Sequence, residues 1–256
     1  MSKQWLFHTG SKFDRKFRES APYSFSDVGS FLQATIGNQK FLWPGNAPRS
    51  GFLQILSEIL TPEHPHQYLY GSTQIGPDDV VLDIGACEGA FSAFVTAKCK
   101  HVIAVEPSRS MCALMTQLFQ IRNEPSPQIL NCLFGGEPST AYFAEDLKNP
   151  AGSRICSEPV PGAYELPVVT LDEAVEKLEF KPTFIKCDAE GAEPAIFAGG
   201  KKFLKEFHPK LAVTTYHSDT DFDTMYTLLK SLGYSVEGKG LLYSGGVLRV
   251  QMIHAW

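Results

Sequence analysis

The stretch VVLDIGACEGAF (residues 80–91) decides the fold of this 256-residue chain. Its first residues are apolar without alternation, which is typical of a parallel strand that is covered on both faces. Gly85 and Gly89 follow, and glycine permits both a tight turn and the close approach of a ligand to the main chain. A helix that begins near Gly89 directs its free N–H groups and positive dipole end at that ligand. The stretch therefore predicts a strand, a turn and a helix that bind a nucleotide-like cofactor.

The spacing of the turn separates two kinds of cofactor site. A dinucleotide site has G-x-G-x-x-G, whose second glycine makes room for a pyrophosphate, but Cys87 occupies that position here. The run from Asp83 is instead D-x-G-x-x-x-G, and a second predicted strand, HVIAVEP (101–107), ends in Glu106. A carboxylate in this position can accept two hydrogen bonds from ribose hydroxyls. This combination resembles motif I of the class I S-adenosylmethionine-dependent methyltransferases; the alternative is an ordinary strand-to-helix turn beside a solvated strand end.

Composition and charge restrict the classes of function. Hydrophobic residues make up 43% of the chain and charged residues 20%, as in soluble globular proteins. The net charge of −5 argues against nucleic-acid and membrane partners, because phosphate groups require a basic surface. The six cysteines form no C-x-x-C pair, and the sequence shows neither a signal peptide nor a membrane-length apolar run. We therefore expect a cytoplasmic protein with reduced thiols.

Residues 1–78 are rich in aromatic side chains and differ in composition from the rest of the chain. We interpret them as an N-terminal extension or lid that is partly helical, with apolar residues at helical spacing over 52–60. They carry no functional motif that we can match. One alternative interpretation is a wall of the substrate site, because rigid aromatic rings suit a flat or sugar-like ligand.

Strands and helices alternate with short connections from Pro77 onward, which predicts a parallel sheet with helices on both faces. We therefore interpret residues 79–256 as one cofactor-binding domain. The hydrophobic residues of the segment 140–157 follow neither the helical nor the strand period. We therefore expect a loop or an irregular hairpin over the predicted cofactor pocket. Thr170 and Glu173 form a capping box that begins a helix. Further strands are predicted at 128–133, 165–169, 211–215, 234–236 and 247–253, the last of them antiparallel.

A second chemical cluster lies in FIKCDAEGAE (184–193). A buried strand delivers Lys186 and Asp188 to one side, since alternate residues of a strand share a face. Glu190 and Glu193 follow, so that three carboxylates occur within six residues. The carboxyl end of a strand beside the glycine turn is where a doubly wound sheet holds its reacting groups. Alternatively, Lys186 pairs with one acid while the other acids cap the next helix.

Three segments occur together in the order TLD (170–172), FIKCDAEGAE (184–193) and, after Gly199-Gly200, PKL (209–211). They resemble the FkbM-type family of S-adenosylmethionine-dependent methyltransferases, whose signature is a TLD, an apolar stretch and K-x-D-x-E-G-x-E. The similarity runs from Val80 to about Gly233, more than half of the chain. Cys187 and Ala189 stand where the family has larger aliphatic residues, and the charged positions are intact.

The resemblance implies an α/β fold with a doubly wound, mostly parallel, seven-stranded Rossmann-like sheet of class I, preceded by the N-terminal extension. It also implies methyl transfer from S-adenosylmethionine to a hydroxyl group of a sugar, a polyketide or another small natural product. With the turn and the sheet order it predicts the cofactor contacts, which are Asp83, Gly85, Ala86, Glu88, Gly89, Glu106, Cys132, Leu133 and Asp188.

The predicted catalytic residues are His217, Asp188 and Lys186. His217 follows the strand 211–215 and therefore lies at the same sheet edge as Asp188; it also resembles the family's histidine. We expect His217 to remove the acceptor proton, with Asp188 orienting it or the methyl donor. In a variant, Asp188 with Glu190 or Glu193 binds Mg²⁺, which prefers oxygen ligands. A nicotinamide-dependent oxidoreductase and a non-catalytic cofactor-binding module are the alternatives from other classes.

Overall fold

The computed structural model describes residues 10–146, 153–244 and 246–256. Its strands are β1 (Tyr23–Val28), β2 (Phe31–Ile36), β3 (Gln39–Pro44), β4 (Val80–Ile84), β5 (His101–Val105), β6 (Gln128–Leu130), β7 (Leu133–Gly135), β8 (Ser139–Ala144), β9 (Arg154–Cys156), β10 (Tyr164–Thr170), β11 (Phe184–Cys187), β12 (Lys210–Thr214), β13 (Val236–Ser244) and β14 (Val247–Ala255). Its α-helices are α1 (Gly10–Ser20), α2 (Arg49–Leu60), α3 (Ala90–Val95), α4 (Arg109–Arg122), α5 (Leu171–Glu176), α6 (Glu193–Ala198), α7 (Lys201–Phe207) and α8 (Asp221–Ser231). None of the described helices has the length and apolar character needed to cross a membrane.

A seven-stranded sheet in the order β13-β14-β12-β11-β4-β5-β6 forms the centre of the molecule. Strand β4, from the glycine-turn stretch, is buried at every position and pairs in parallel with β5 and β11. Strand β14 is antiparallel to both of its neighbours, as predicted for the last strand. The predicted doubly wound, mostly parallel sheet is therefore confirmed.

Both faces of the central sheet are covered, which explains the unbroken apolar character of its inner strands. Val81 of β4 belongs to a hydrophobic cluster with Phe91 of α3 and Phe119 of α4. Leu82, the next residue, belongs to a second cluster with Phe197 of α6 on the opposite face. Because successive strand residues point to opposite faces, the two clusters lie on opposite sides of one sheet.

The predicted third strand, 128–133, is wrong in its extent. Strand β6 ends at Leu130, while β7 begins at Leu133 and belongs to a separate four-stranded sheet of order β7-β10-β8-β9. Asn131 causes the break, because its side-chain amide donates to the main-chain carbonyls of Glu106 and Pro107, each at 2.9 Å. Cys132, expected inside a strand, consequently lies between the two sheets.

The segment expected to be a loop or irregular hairpin forms regular strands at its ends. Strands β8 and β9 pair antiparallel, and the intervening residues 147–152 lie outside the described residues. The predicted strand 165–169 is confirmed as β10. The capping box is also confirmed, since the Thr170 hydroxyl accepts from the Glu173 N–H at 3.2 Å and Glu173 Oε2 accepts from the Thr170 N–H at 3.2 Å.

The predicted strand 234–236 is also wrong in its bounds. Tyr234 follows the end of α8 and closes it, because its N–H donates to the carbonyl of Leu229 at 3.1 Å. Strand β13 starts only at Val236 and continues to Ser244, and it pairs with β14 along this length. The predicted strands 211–215 and 247–253 correspond to β12 and β14, with shifts at their ends.

The N-terminal residues form α1, the antiparallel sheet β1-β2-β3 and α2. Helix α2 contains the helix predicted over 52–60, but the three-stranded sheet was not predicted. Many of the aromatic residues are core residues; Trp43, for example, stacks on Phe52 with ring centroids 5.3 Å apart. Both rings belong to the hydrophobic cluster of Val81 and Phe91. The N-terminal residues therefore share a core with the central sheet, and the proposed boundary at residue 79 stays a prediction.

Candidate active site

The turn between β4 and α3 has the backbone conformation that its glycines predict. Gly85 and Gly89 have φ angles of 71° and 82°. A Cβ atom on Gly85 would lie 1.9 Å from the main-chain oxygen of Asp188, so no larger residue fits. The N–H groups of Gly85 and Ala86 both donate to the carbonyl of Val105, at 3.0 and 3.1 Å. The turn is thus held between the ends of β5 and β11.

Glu106 faces this turn. Its two carboxylate oxygens accept hydrogen bonds from the main-chain N–H groups of Cys87 and Ser108, each at 2.7 Å. Burial raises the pKa of Glu106 to about 7, against the opposing effect of these two N–H groups. Glu88, which is also buried in the turn, has a pKa raised by burial to about 7. The carboxyl predicted to bind ribose therefore lies where the sequence placed it.

Lys186 lies beneath the turn as an ion-pair partner. Its Nζ atom is 3.0 Å from Oδ1 of Asp83, which is its register partner on β4, and donates to the carbonyl of Gly85 at 2.6 Å. Both charged side chains are buried. Burial acts to lower the pKa of Lys186, but the carboxylates of Asp83 and Asp188 outweigh it and raise that pKa. Lys186 thus pairs with an acid of the first motif, and its catalytic role stays a prediction.

Each of the two carboxylate oxygens of Asp188 lies near one hydroxyl group and one histidine ring. Oδ2 accepts from the Tyr68 hydroxyl at 2.8 Å and lies 3.9 Å from Nε2 of His66. Oδ1 lies 3.2 Å from the Thr214 hydroxyl oxygen and 3.7 Å from Nε2 of His217. Burial acts to raise the pKa of Asp188, but His66, Lys186 and His217 outweigh it and lower that pKa. Asp188 is therefore a carboxylate at neutral pH.

His217 lies among three carboxylates. Besides Asp188, its ring nitrogens are 3.3 Å from Oε2 of Glu190 and 3.3 Å from Oε1 of Glu193, in ion-pair contacts without hydrogen-bond geometry. Burial acts to lower the pKa of His217, but Glu190 and Glu193 outweigh it and raise the pKa to about 10. The predicted histidine is thus at the predicted sheet edge, and it is protonated at neutral pH.

Glu193 holds the loop after β11 together. Its carboxylate accepts from the N–H groups of Ala189 and Gly191, at 2.7 and 2.9 Å, and from the Thr214 hydroxyl at 2.9 Å. Among the described residues, two groups of side chains have ligand atoms close enough to share a cation: Asp188, Glu190 and His217; and Glu193, His217 and Asp221. The carboxylates proposed for Mg²⁺ are therefore divided between two groups.

A single cavity of about 920 Å³ joins the glycine turn to the edge of β11. Most of the predicted site residues line it, namely Gly85, Ala86, Glu88, Glu106, Cys132, Leu133, Lys186, Asp188 and Glu190. The other predicted site residues lie behind this wall in the described structure, namely Asp83, Gly89, Glu193 and His217. His217 therefore reaches the cavity through Asp188.

The N-terminal residues supply the opposite wall of the same cavity. Trp43, Ile55 and Glu58 line it, together with Tyr68 and the exposed Arg18. Tyr68 and His66, which both approach Asp188, were missed by sequence reasoning because no motif surrounds them. The available signal was the aromatic content of residues 1–78, which allowed a substrate wall as one interpretation.

Comparison with known families points to the same part of the chain as the glycine turn after β4, Glu106 and the segment 184–193. The family described as methyltransferase FkbM domain matches residues 83–236, more than half of the chain. The chain belongs to the FkbM methyltransferase family. The FkbM match includes both the end of β4 and the whole K-x-D-x-E-G-x-E segment, so both motifs lie inside the family domain. No curated protein matches the sequence.

Solved structures of methyltransferases are similar to this chain at low sequence identity. An FkbM methyltransferase from Methylobacillus flagellatus KT is 19% identical, with a TM-score of 0.53; the match covers 80% of this chain and 54% of that one, so this chain spans about half its length. Precorrin-6y C5,15-methyltransferase from Geobacter metallireducens GS-15 is 13% identical, with a TM-score of 0.46 and coverage of 72% and 82%. Magnesium protoporphyrin IX methyltransferase from Synechocystis PCC 6803, solved with bound SAM, is 13% identical, with a TM-score of 0.40 and coverage of 70% and 70%.

Proposed function

We propose that this FkbM-family protein is an S-adenosylmethionine-dependent O-methyltransferase that acts on a hydroxyl group of a sugar, polyketide or other small natural product. The observation that carries the proposal is the shared cavity, in which the glycine turn with Glu106 and the carboxylate of Asp188 line one continuous space. Its volume, about 920 Å³, falls in the range of small-molecule sites. Such a cavity can hold a methyl donor and an acceptor side by side.

The residues present fit S-adenosylmethionine. Glu106, buried and facing the turn, would accept hydrogen bonds from the ribose hydroxyls, and Cys132 and Leu133 would contact the adenine. The turn residues Gly85 and Ala86 line the cavity where the amino-acid part would lie. When bound there, S-adenosylmethionine supplies a methyl group from its sulfonium to the acceptor oxygen. The chain mainly holds the two partners close and aligned.

Asp188 and His217 would act as a pair on the acceptor. Asp188 lines the cavity as a carboxylate and would accept the proton that the acceptor hydroxyl loses. His217, behind it, would hold the carboxylate in place through the contact at 3.7 Å. The predicted removal of the proton by His217 itself is not retained, because His217 is protonated at neutral pH and does not line the cavity. Asp188 makes the contact with the acceptor instead.

Calorimetric titration tests the cofactor. We expect S-adenosylhomocysteine to bind in the micromolar range and NAD not to bind, whereas the reverse would favour the oxidoreductase. Transfer of a labelled methyl group to a panel of sugars, polyketides and other hydroxyl compounds then tests the reaction. Binding of S-adenosylhomocysteine without transfer to any of them would favour the non-catalytic module.

A cation bound at Asp188 and Glu190 is the competing account of acceptor activation. Dialysis against a chelator separates the two accounts, because proton transfer to Asp188 needs no metal. We expect methyl transfer to survive the chelator, and a loss of activity that added Mg²⁺ restores would favour the cation.

The six free cysteines support a reducing compartment, the cytoplasm, as the place of action.

A further inference from the structure

The segment that precedes the central sheet contributes Tyr68 to the wall around Asp188. The Tyr68 hydroxyl donates to Oδ2 of Asp188 at 2.8 Å, and the side chain lines the cavity. Its ring packs edge-on against Phe91 of α3, with centroids 5.1 Å apart, and lies 5.4 Å from Nζ of Lys186. Tyr68 is thus held between the cofactor turn and the carboxylate that faces the acceptor.

His66, two residues earlier, lies behind Tyr68 and is buried. Its Nδ1 atom is 3.3 Å from Oε2 of Glu58, and its Nε2 atom is 3.9 Å from Oδ2 of Asp188. The rings of Tyr68 and Tyr216 pack edge-on against it, with centroids 5.1 and 5.5 Å away. The imidazole therefore lies between two carboxylates, in ion-pair contacts without hydrogen-bond geometry, and two aromatic rings hold it in place.

The arrangement around Asp188 is repeated on its two sides. On the side of β12, His217 contacts Asp188 and is backed by Glu193. On the side of the N-terminal residues, His66 contacts Asp188 and is backed by Glu58 of α2. In each case the second carboxylate places negative charge beside the imidazole, which favours its protonated form. A tyrosine lines the cavity on each side, Tyr68 on the N-terminal side and Tyr216 beside His217, and the Tyr68 hydroxyl donates to Asp188.

The short segment that carries these side chains is anchored independently of the cavity. His64 lies 3.2 Å from Oδ1 of Asp14 on α1, and its Nδ1 atom accepts from the N–H of His66 at 3.0 Å. Lys239 of β13 donates to the carbonyl of His64. The positions of His66 and Tyr68 are therefore set by contacts with two separate elements of the described structure.

We propose that Tyr68 is a catalytic residue that binds the acceptor hydroxyl together with Asp188, and that His66, backed by Glu58, is a positioning residue for Asp188. In the free protein Tyr68 donates to Asp188 Oδ2. When the acceptor binds, its hydroxyl donates to that oxygen and accepts a hydrogen bond from Tyr68 instead. His66 retains its contact with Asp188 during this exchange. The inference rests on the proposed O-methyl transfer.

The test compares Tyr68→Phe with Tyr70→Phe in the full chain. Tyr70 is a matched control, because its hydroxyl contacts Glu237 at 3.4 Å and its side chain does not line the described cavity. With the hydroxyl compound that wild type methylates, we expect Tyr68→Phe to lower kcat/KM by about 10²-fold, because the acceptor oxygen loses the hydrogen bond that positions it for attack. We expect Tyr70→Phe to match wild type. S-adenosylhomocysteine affinity should be unchanged in both variants.

His66 is tested by a conservative rescue. His66→Ala should lower kcat on the order of tenfold with little change in KM, because a displaced carboxylate slows the chemical step. His66→Gln, whose amide can occupy the place of Nε2, should recover most of that loss. Equal denaturation midpoints for the two variants would show that the difference in kcat between them does not come from a difference in folding.

The outcomes separate this proposal from the proposed function. If Tyr68→Phe and His66→Ala both transfer methyl groups as fast as wild type, the role of the N-terminal segment is overturned while methyl transfer stands. If wild type does not bind S-adenosylhomocysteine, the proposed function itself fails, and the inference fails with it.

Discussion

The hydroxyl of Tyr68 lies 2.8 Å from Oδ2 of Asp188, although 120 positions separate the two residues in the chain. This contact joins the N-terminal residues to the second motif of the FkbM domain. The Tyr68 side chain also lines the cavity, as does Asp188. The candidate site is therefore assembled from three distant parts of the sequence: the segment before β4, the turn after β4 and the loop after β11.

Replacing His217 by Ala tests the pairing with Asp188. Because His217 lies behind Asp188 and away from the glycine turn, we expect turnover to fall by about 10²-fold while the affinity for S-adenosylhomocysteine stays within about twofold of wild type. Steady-state kinetics and calorimetry measure the two quantities on the same preparation. Turnover equal to that of wild type would remove His217 from the mechanism.

Replacing Gly85 by Ala tests how tightly the turn is built. The new Cβ would lie 1.9 Å from the main-chain oxygen of Asp188, at a φ of 71°. We expect a loss of more than about 3 kcal/mol in the free energy of unfolding, together with loss of S-adenosylhomocysteine binding. Urea denaturation and calorimetry provide the measurements.

Gly162→Ala is the matched control for Gly85→Ala. Gly162 has a similar φ of 84°, but a Cβ there meets no atom within 4 Å. It should therefore cost only the backbone strain, about 1–2 kcal/mol. Equal costs for the two variants would show that the contact with Asp188 does not restrict residue 85.

The parts of the site that sequence reasoning found are those encoded by local chemistry. Gly85 and Glu106 were found because a tight turn needs glycine and because an acid at the end of the next strand has a recognisable spacing. His217 was found because parallel strands end at one sheet edge. These residues could be identified from their neighbours in the sequence and the direction of a strand, and His217 also from its resemblance to the family's histidine.

The parts that sequence reasoning missed depend on tertiary packing. Nothing near Tyr68 or His66 marks a site, since their role comes from the placement of the N-terminal residues against β11 and β12. The break in the predicted strand 128–133 depends on Asn131, whose partners are carbonyls beyond the end of β5. Such contacts between distant segments leave no periodic pattern in the sequence.

Replacing Lys186 by Met distinguishes a structural role from a catalytic one. The change leaves the buried carboxylate of Asp83 without its cationic partner, which costs about 3–5 kcal/mol in the free energy of unfolding. The double variant Lys186→Met with Asp83→Asn should recover part of this loss, because it removes the unpaired charge. Urea denaturation measures both variants.

Lys202→Met serves as the exposed counterpart of Lys186→Met. Lys202 pairs with Glu176 at 2.8 Å in solvent, and such pairs contribute little, so no measurable loss is expected. Wild-type stability in Lys186→Met combined with loss of turnover would instead support the catalytic role predicted from the sequence.

The carboxyl of Glu106 gives cofactor binding a pH dependence. Burial raises its pKa to about 7, and the ionised form is the acceptor for ribose hydroxyls. Affinity for S-adenosylhomocysteine should therefore rise with pH, by about tenfold between pH 6 and pH 8. At pH 6 most Glu106 carboxyls are protonated and must lose a proton before the ligand binds, whereas at pH 8 most are already ionised. Calorimetry across this range measures the change.

Two variants assign that pH dependence to one carboxyl. Glu106→Gln should bind S-adenosylhomocysteine about 10- to 100-fold more weakly at pH 8, since a charged hydrogen-bond acceptor is lost, and its affinity should no longer rise between pH 6 and pH 8. Glu88 also has a pKa of about 7, yet Glu88→Gln should keep the rise, because its carboxyl makes none of the main-chain contacts that place Glu106 in the turn. A rise that persists in Glu106→Gln and vanishes in Glu88→Gln would assign the titrating group to Glu88 and remove Glu106 as the ribose-binding acid.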